Sequence, residues 1–174
     1  MKTLDLKDCI RDIPDFPKPG IIFKDISTLL KNDQALRASI DILTGQFKGH
    51  KVDQVVAVES RGFIFGAALA YQLNAGFVPI RKKGKLPYKT QSITYSLEYG
   101  TDTLEIHEDA LTPGTRVLIV DDLLATGGTV KAVTELLEKQ KAKIIGIAFL
   151  VELSFLKGKD KLKNYPVYSV IQFD

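Results

Sequence analysis

The chain has 174 residues, of which 45% are hydrophobic, and its formal net charge at pH 7 is +3. This length suits one domain with a sizeable core, and the small, scattered charge argues against a nucleic-acid partner. The single cysteine excludes an internal disulfide. Because we find no signal peptide and no apolar run long enough to span a membrane, we expect a cytoplasmic protein without membrane contact.

The first thirty residues predict a helix, a loop and a short strand. Apolar residues at helical spacing over 3–13 predict an amphipathic helix that Pro14 ends, with Cys9 as a buried thiol. The segment 15–20 is rich in proline and glycine and predicts a rigid loop leading into a strand over 21–23. A simple connection between elements is the alternative for this loop.

A helix and a second strand follow. Four apolar residues on one face predict a helix over 33–47 with Asp33 as its N-cap. The apolar segment 52–58 predicts a strand that ends in a polar turn before the next helical pattern. In that turn Arg61 would clamp an anion such as phosphate, while a surface arginine paired with Glu59 is the alternative.

A third strand over 77–80 leads into a basic loop, residues 81–87, which places four cations in five residues. Mutual repulsion makes such a loop easier to hold beside a polyanion such as pyrophosphate, although a solvated charge run is an equal alternative. Alternating residues over 93–97 and 104–106 predict an antiparallel excursion. We interpret residues 81–107 as a lid.

The most informative segment, residues 117–129, begins with four apolar residues that predict a buried parallel strand. Asp121 and Asp122 follow directly and should lie at the carboxyl end of the strand. Residues 125–129, which we call the phosphate loop, combine small side chains, two glycines and two hydroxyls before a helical pattern. Backbone N–H groups at such a helix start bind anions, whereas the two acids suit hydroxyl groups or a hydrated cation.

This pattern predicts a ligand with a phosphate at one end and a diol beside it, such as a ribose 5-phosphate. A Walker phosphate loop does not fit, because it needs a lysine directly after its last glycine and Lys131 comes too late. A dinucleotide fingerprint needs three spaced glycines, which the segment lacks. An ordinary glycine-rich turn would explain the apolar run but not two acids beside an anion-binding loop.

A helix over 128–139, a buried strand over 144–151 and a last edge strand over 167–173 complete the predicted elements. Strands alternating with helices predict a doubly wound α/β fold with a mainly parallel sheet flanked by helices. Ligands bind such sheets at the carboxyl ends of the strands near a switch point.

The segment 117–129 resembles the phosphoribosyl pyrophosphate motif of the type I phosphoribosyltransferase family. The chain is similar to the adenine phosphoribosyltransferase branch over nearly its full length, at residues 15–26, 59–66, 80–87, 95–100 and 117–129. This resemblance implies one domain over 1–174, with an N-terminal hood over about 1–30 and a flexible lid. It implies transfer of a phosphoribosyl group to N9 of adenine, giving AMP and pyrophosphate.

The resemblance also implies a homodimer, and Mg²⁺ carried by the phosphoribosyl pyrophosphate donor. It assigns the phosphoribosyl group to Asp121, Asp122, Ala125, Thr126, Gly127, Gly128 and Thr129, with the two aspartates as candidate Mg²⁺ ligands. It assigns the pyrophosphate to Ser60, Arg61, Lys82 and Lys85, and to Arg81 acting in a neighbouring subunit's site.

For the base, the resemblance indicates Ile22, Phe23, Lys24 and Leu123. It implies catalytic roles for Arg61 and Glu98, with Tyr99 on the lid, and a cis peptide bond between Glu59 and Ser60. Without the resemblance, Glu98 would be interpreted as a solvated strand carboxylate.

Three other functions remain as alternatives: a phosphoribosyltransferase for xanthine or guanine, a regulatory protein that senses the donor, and a nucleotide-binding module without catalysis. A regulatory protein of this kind carries an added DNA-binding domain, for which 174 residues leave no room. A binding module without catalysis would not need Glu98 and the basic loop.

Overall fold

The structure is a computed structural model that describes residues 4–96 and 100–174. It divides into two compact units, Met1–Ile42 and Leu43–Asp174, where the sequence had suggested one domain with a hood over about 1–30. The two units are described separately below. Among the described residues, no helix combines the length and apolarity that crossing a bilayer requires.

The first unit contains a two-stranded antiparallel sheet instead of the expected N-terminal helix. Its elements are a 3₁₀ turn Lys7–Cys9, strand β1 Arg11–Pro14, strand β2 Ile22–Asp25 and a short helix α1 Ser27–Leu30. The helix prediction over 3–13 is wrong because β1 pairs with β2, with Ile13 opposite Phe23, a partner that local periodicity does not show. Cys9 is half-buried, not buried, and its thiol donates to the carbonyl oxygen of Asp5.

Charged side chains tie the two strands of this small sheet together. Arg11 pairs with Asp25, and Lys24 Nζ lies 2.6 Å from Asp12 Oδ1. Hydrogen bonds from Ser27 and Arg11 lower the pKa of Asp25 to about 2, so it is ionised at neutral pH. The loop between the strands contains a cis peptide bond before Pro17.

Helix α2, Asp33–Phe47, has the bounds that apolar periodicity predicted. Its N-cap is Asn32 and not Asp33, because Asn32 Oδ1 accepts the backbone N–H of Ala35 at 3.0 Å. In the second unit Leu43 and Phe47, the last apolar positions of its predicted face, are both buried.

The second unit is organised around one seven-stranded sheet with the order β5-β6-β4-β3-β7-β8-β9. Five neighbouring strands are parallel, and β6 and β5 extend the sheet antiparallel beyond β4. This is the predicted mainly parallel α/β sheet. Its strands are β3 Gln54–Val58, β4 Gly76–Lys82, β5 Thr90–Ser96, β6 Thr101–His107, β7 Arg116–Leu124, β8 Lys143–Leu153 and β9 Val167–Phe173.

Two helices, α3 Gly62–Gln72 and α4 Gly128–Lys139, cover opposite faces of this sheet. Successive residues of a strand point to opposite faces. Accordingly Val56 belongs to the core cluster that contains the apolar face of α4, while Ala57 faces Gly66 of α3. The bounds of α4 agree with the prediction, as expected for a helix whose apolar face is continuous.

Much of the segment interpreted as a lid consists of strands of the main sheet. Strand β5 pairs with β6, and β6 pairs with β4 through Arg81 and Lys82. The side chains of Ile93, Leu104 and Ile106 are buried in the core. Residues 97–99 lie outside the described part of the chain, and movement of a lid over 81–107 stays a prediction.

Candidate active site

The central strand β7 ends beside the start of α4, and the two predicted acids are among its last four residues. The strand continues past Asp121 and Asp122 to Leu124, further than the sequence indicated. Asp122 is buried, with 5% of its surface exposed, and Asp121 is partly exposed. The structure therefore places both carboxylates at the carboxyl end of the parallel sheet, where ligands of such folds bind.

Asp122 forms an ion pair with the arginine of the turn after β3. Its Oδ2 atom lies 2.9 Å from Nε of Arg61. Because β3 and β7 are neighbours in the sheet, their carboxyl ends bring these two side chains together. The alternative pairing of Arg61 with Glu59 is wrong, since Glu59 pairs with Arg81.

The N-terminus of α3 lies directly against Asp121. A Cβ atom on Gly62 would be 2.7 Å from Asp121 Oδ1, so a larger residue would force the Asp121 carboxylate to move. The same oxygen accepts the backbone N–H of Asp122 at 2.9 Å. Local sequence patterns did not reveal this contact, because it joins residues 59 positions apart.

Both acids are held in surroundings that disfavour their charged forms. Desolvation raises the pKa of Asp121 well above its usual value, and the nearby Asp122 raises it further. Desolvation also raises the pKa of Asp122, against the opposing effect of the Arg61 guanidinium. Such carboxylates gain most from a ligand that brings hydroxyl donors or a cation into contact with them.

The phosphate loop connects β7 to α4 and lines an open pocket of about 320 Å³. Gly127 adopts the left-handed conformation with φ of +76°, and α4 begins at Gly128. The hydroxyl groups of Thr129 and Tyr95 lie 3.3 Å apart, which links the start of α4 to strand β5. The pocket is lined by Asp121, Leu123, Leu124, Ala125, Thr126, Gly127, Gly128, Thr129 and Val130.

A helix start with backbone N–H groups facing a pocket provides a site for an anion. All five residues of the phosphate loop line this pocket, and Asp121 lines its wall. Leu123, predicted to contact the base, also lines it. One pocket therefore combines the predicted phosphate loop with a carboxylate, the combination expected for a sugar phosphate.

Gly158 lies behind the phosphate loop and was missed from the sequence. A Cβ atom on Gly127 would be 2.5 Å from the carbonyl oxygen of Gly158. Gly158 follows β8, some thirty positions after the loop, so no local spacing pattern connects the two. The sequence contains no pattern from which a contact between two glycines so far apart could have been predicted.

The turn after β3 and the basic loop after β4 are joined by an ion pair. The peptide bond between Glu59 and Ser60 is cis, as the resemblance implied. Glu59 Oε2 lies 2.7 Å from Nε of Arg81. Arg81 Nη1 also donates to the carbonyl oxygen of Lys85 at 3.1 Å, so one guanidinium connects both segments.

The two lysines of the basic loop that were predicted to bind pyrophosphate, Lys82 and Lys85, are both exposed. Lys82 Nζ lies 3.2 Å from Asp102 Oδ2. Buried Glu105 accepts the backbone N–H of Gly84 at 2.9 Å and so holds the turn of the loop. The loop is therefore attached to the sheet by its backbone and by the Arg81 and Lys82 ion pairs, while its lysine side chains stay exposed.

The remaining predicted site residues are not assembled by the described structure. Ile22, Phe23 and Lys24 belong to β2 of the first unit, and their role in binding the base stays a prediction. Glu98 and Tyr99 fall outside the described residues. Across residues 4–96 and 100–174, no group of three or more His, Cys, Asp or Glu side chains is arranged to hold a metal ion.

Comparison with known proteins agrees with this geometry. Residues 25–173 match the family model of the phosphoribosyl transferase domain. A relative from Pelobacter propionicus, named adenine phosphoribosyltransferase, is 59% identical over 97% of this chain and 98% of its own length. The crystal structure of adenine phosphoribosyltransferase from Thermoanaerobacter pseudethanolicus has a TM-score of 0.93 at 55% identity, covering 97% of this chain and 98% of that one.

The enzyme of the same name from Saccharomyces cerevisiae was crystallised with adenine and an imino-altritol bisphosphate. It has a TM-score of 0.89 at 43% identity, covering 95% of this chain and 96% of that one. The fold and the site thus define a phosphoribosyltransferase, and the chain belongs to that family. Within it, full-length identity above one half places the chain among the adenine phosphoribosyltransferases.

Proposed function

We propose that this protein transfers the 5-phosphoribosyl group of phosphoribosyl pyrophosphate to N9 of adenine, giving AMP and pyrophosphate in purine salvage. The observation that carries the proposal is the pocket formed by the phosphoribosyl motif. In it, the phosphate loop with Gly127 at positive φ lies beside Asp121 at the end of β7. The substrate class follows from relatives that are named for adenine over their full length.

In this proposal the phosphate loop binds the 5-phosphate. The residues at the start of α4 line the pocket, and their backbone N–H groups, with the hydroxyls of Thr126 and Thr129, are the proposed donors. Asp121 and Asp122 accept hydrogen bonds from the ribose hydroxyls. Those bonds are charge-assisted, so they would compensate for the desolvation of the two carboxylates.

The leaving group is proposed to be held by cations from two strand ends. Arg61, with Ser60 beside it, approaches from the turn after β3, and Lys82 and Lys85 approach from the basic loop. The donor would bring Mg²⁺, which neutralises charge on the departing pyrophosphate, and the carboxylate oxygens of the two aspartates are of the type that Mg²⁺ prefers. Arg81, predicted to act in a neighbouring subunit, bonds Glu59 within this chain, and its action in a homodimer stays a prediction.

The chemical step needs stabilisation of opposite charges. Breaking the bond between C1 and pyrophosphate leaves a sugar with oxocarbenium character and a strongly anionic leaving group. Arg61 and the lysines stabilise the leaving group as its charge develops. Exclusion of water by the proposed lid prevents hydrolysis of the donor in competition with transfer to the base.

The direct test supplies the purified protein with the donor, Mg²⁺ and one of four radiolabelled bases: adenine, hypoxanthine, guanine or xanthine. We expect AMP from adenine, with far slower transfer to the other three. Preferred use of guanine or xanthine would support the alternative purine specificity. Donor binding without transfer to any base would instead support a regulatory protein.

A second test addresses Glu98, proposed as the base that accepts a proton from adenine through N7 as N9 attacks C1. Glu98→Ala should lower kcat by roughly 10²- to 10⁴-fold, the range typical for loss of a general base, with little change in donor affinity. Glu98→Gln keeps the shape of the side chain but not its basicity, so kcat of this variant should fall nearly as far. A Gln variant with wild-type kcat, under conditions where chemistry is rate-limiting, would reduce Glu98 to a positioning residue.

A further inference from the structure

The segment after β8 forms the back wall of the phosphate loop. Two short 3₁₀ helices, Ser154–Leu156 and Gly158–Leu162, follow the strand and are joined by Lys157 in the left-handed conformation, with φ of +52°. The backbone of Gly158 lies against the loop. A Cβ atom added to Gly158 would be 2.2 Å from the carbonyl oxygen of Ala125 and 3.1 Å from the backbone nitrogen of Gly127.

This segment is attached to the core at two places. Lys159 Nζ forms an ion pair with Glu152 Oε2 at 2.6 Å, and Glu152, near the end of β8, is only 6% exposed. Leu162, at the end of the second 3₁₀ helix, is buried in the core cluster. Loss of Lys159 would leave the buried carboxylate of Glu152 without its ion-pair partner, which costs more than loss of a pair on the surface.

We infer that Gly158, held in place by the pair between Lys159 and Glu152, is a positioning residue that fixes the phosphate loop in its anion-binding conformation. This inference rests on the proposed function of the loop. Neither Lys159 nor Glu152 lines the pocket. The effect is transmitted through the backbone contact of Gly158 with Ala125 and Gly127.

The loop needs such a support because its own residues supply little rigidity. Gly127 and Gly128 lack side chains, and glycine has the widest range of backbone conformations in the absence of an external contact. An anion site made of N–H groups requires those groups to be oriented before the ligand arrives, since any disorder must be removed on binding. The backbone of Gly158 contacts the loop at both Ala125 and Gly127, and this contact restricts the loop to one arrangement.

The first experiment compares Gly158→Ala with Gly45→Ala. A Cβ atom on Gly45 would meet nothing within 4 Å, so this variant controls for the chemistry of the substitution. Calorimetry with ribose 5-phosphate measures the Kd for a ligand of the loop directly and needs no turnover. We expect Kd for Gly158→Ala to rise about tenfold or more, because a contact of 2.2 Å between backbone and methyl forces the loop to move.

In steady-state kinetics the same variant should raise KM for the donor more than it lowers kcat, while Gly45→Ala matches the wild type. A folded Gly158→Ala variant with unchanged Kd would overturn the inference. Wild-type protein that bound ribose 5-phosphate but did not transfer to adenine would refute the proposed function and leave this inference standing. If wild-type protein did not bind ribose 5-phosphate, the inference about Gly158 would be overturned.

A second pair of variants keeps the test open if Gly158→Ala does not fold. Lys159→Met removes the ion pair with Glu152, and Lys159→Arg preserves the charge. We expect Lys159→Met to weaken ribose 5-phosphate binding several-fold, with the Arg variant close to the wild type. Equal affinity in all three proteins would show that the ion pair does not position the loop.

Discussion

The two ends of strand β7 adjoin acids in opposite situations: Asp53, which precedes β3, at the amino end, and Asp121 and Asp122, within β7, towards the carboxyl end. At its amino end, Arg116 binds Asp53 through both its guanidinium and its backbone. Asp53 Oδ2 accepts the N–H and the Nε of Arg116, each at 2.9 Å. These hydrogen bonds hold the pKa of Asp53 well below its usual value, so the pair stabilises the fold at neutral pH.

At the carboxyl end of the same strand, Asp121 and Asp122 lie beside each other with raised pKa values. Desolvation is the largest cause for both acids, and the positive charge of Arg61 opposes it at both. Ionised carboxylates in this position therefore reduce the stability of the protein in the absence of a ligand. The comparison teaches that one end of β7 serves the fold, whereas the other, in the proposed function, loses stability in favour of ligand binding.

The largest expected effect comes from removing charge at the site end. Asp121→Asn combined with Asp122→Asn should raise Kd for the donor by roughly tenfold to a hundredfold, because hydrogen bonds to charged acceptors contribute about 1.5–3 kcal/mol. The fold should stay intact. Unchanged turnover of the double variant would contradict the assignment of these acids to the ribose.

The same comparison predicts how stability depends on pH. For Asp121 the pKa in the folded protein is raised, so the folded state holds its proton more tightly than the unfolded state. Its contribution to the free energy of unfolding should therefore decline as pH rises from the usual carboxyl range through the raised pKa. Asp121→Asn should remove this decline, and urea unfolding at several pH values measures it.

At the opposite end, Asp53→Asn should lower Tm by a few degrees at neutral pH and leave kcat and KM unchanged. Because the pKa of Asp53 is lowered in the folded protein, its stabilisation is present above the usual carboxyl range and is lost as pH falls through the lowered pKa. Wild type and variant should therefore converge in strong acid. A loss of activity at unchanged Tm would contradict the proposed division between the two ends.

The smallest expected effects concern the exposed lysines of the basic loop. Lys82→Ala and Lys85→Ala should each weaken donor binding by about twofold to fivefold, since exposed charge pairs contribute up to about 1 kcal/mol. The loss should shrink as salt increases. Lys83→Ala is the matched control in the same loop, and an equal loss there would show that the loop acts only through its overall charge.

The parts of this molecule that were predictable are those whose cause is local. The bounds of α2 and α4 followed from apolar residues at helical spacing, and the small residues between a strand and a helix form a loop that lines a pocket, as their pattern suggested. The N-terminal helix failed because the pairing of Ile13 with Phe23 replaces it, and no periodicity within one segment shows such a partner. The closeness of Glu59 to Arg61 in the sequence also suggested that these two residues pair, whereas each pairs with a residue from another strand end.

The features missed at the site share this non-local origin. Arg61 pairs with Asp122 and Glu59 with Arg81 because β3 lies between β7 and β4 in the sheet. The contact of Gly127 with Gly158 depends on where the chain returns after β8. Sequence patterns indicated candidate site residues, and only the strand order determined which of them meet.

Strand β9 has a consequence for handling of the protein. It forms one edge of the sheet, and its seven residues, Val167–Phe173, contain no charge and no proline. Within the described residues of one chain, its outer side pairs with no further strand. Uncharged segments with β-branched and aromatic residues at an edge can recruit the same segment of another molecule into cross-β stacks. When the edge frays on heating, irreversible precipitation is therefore expected to begin at this strand.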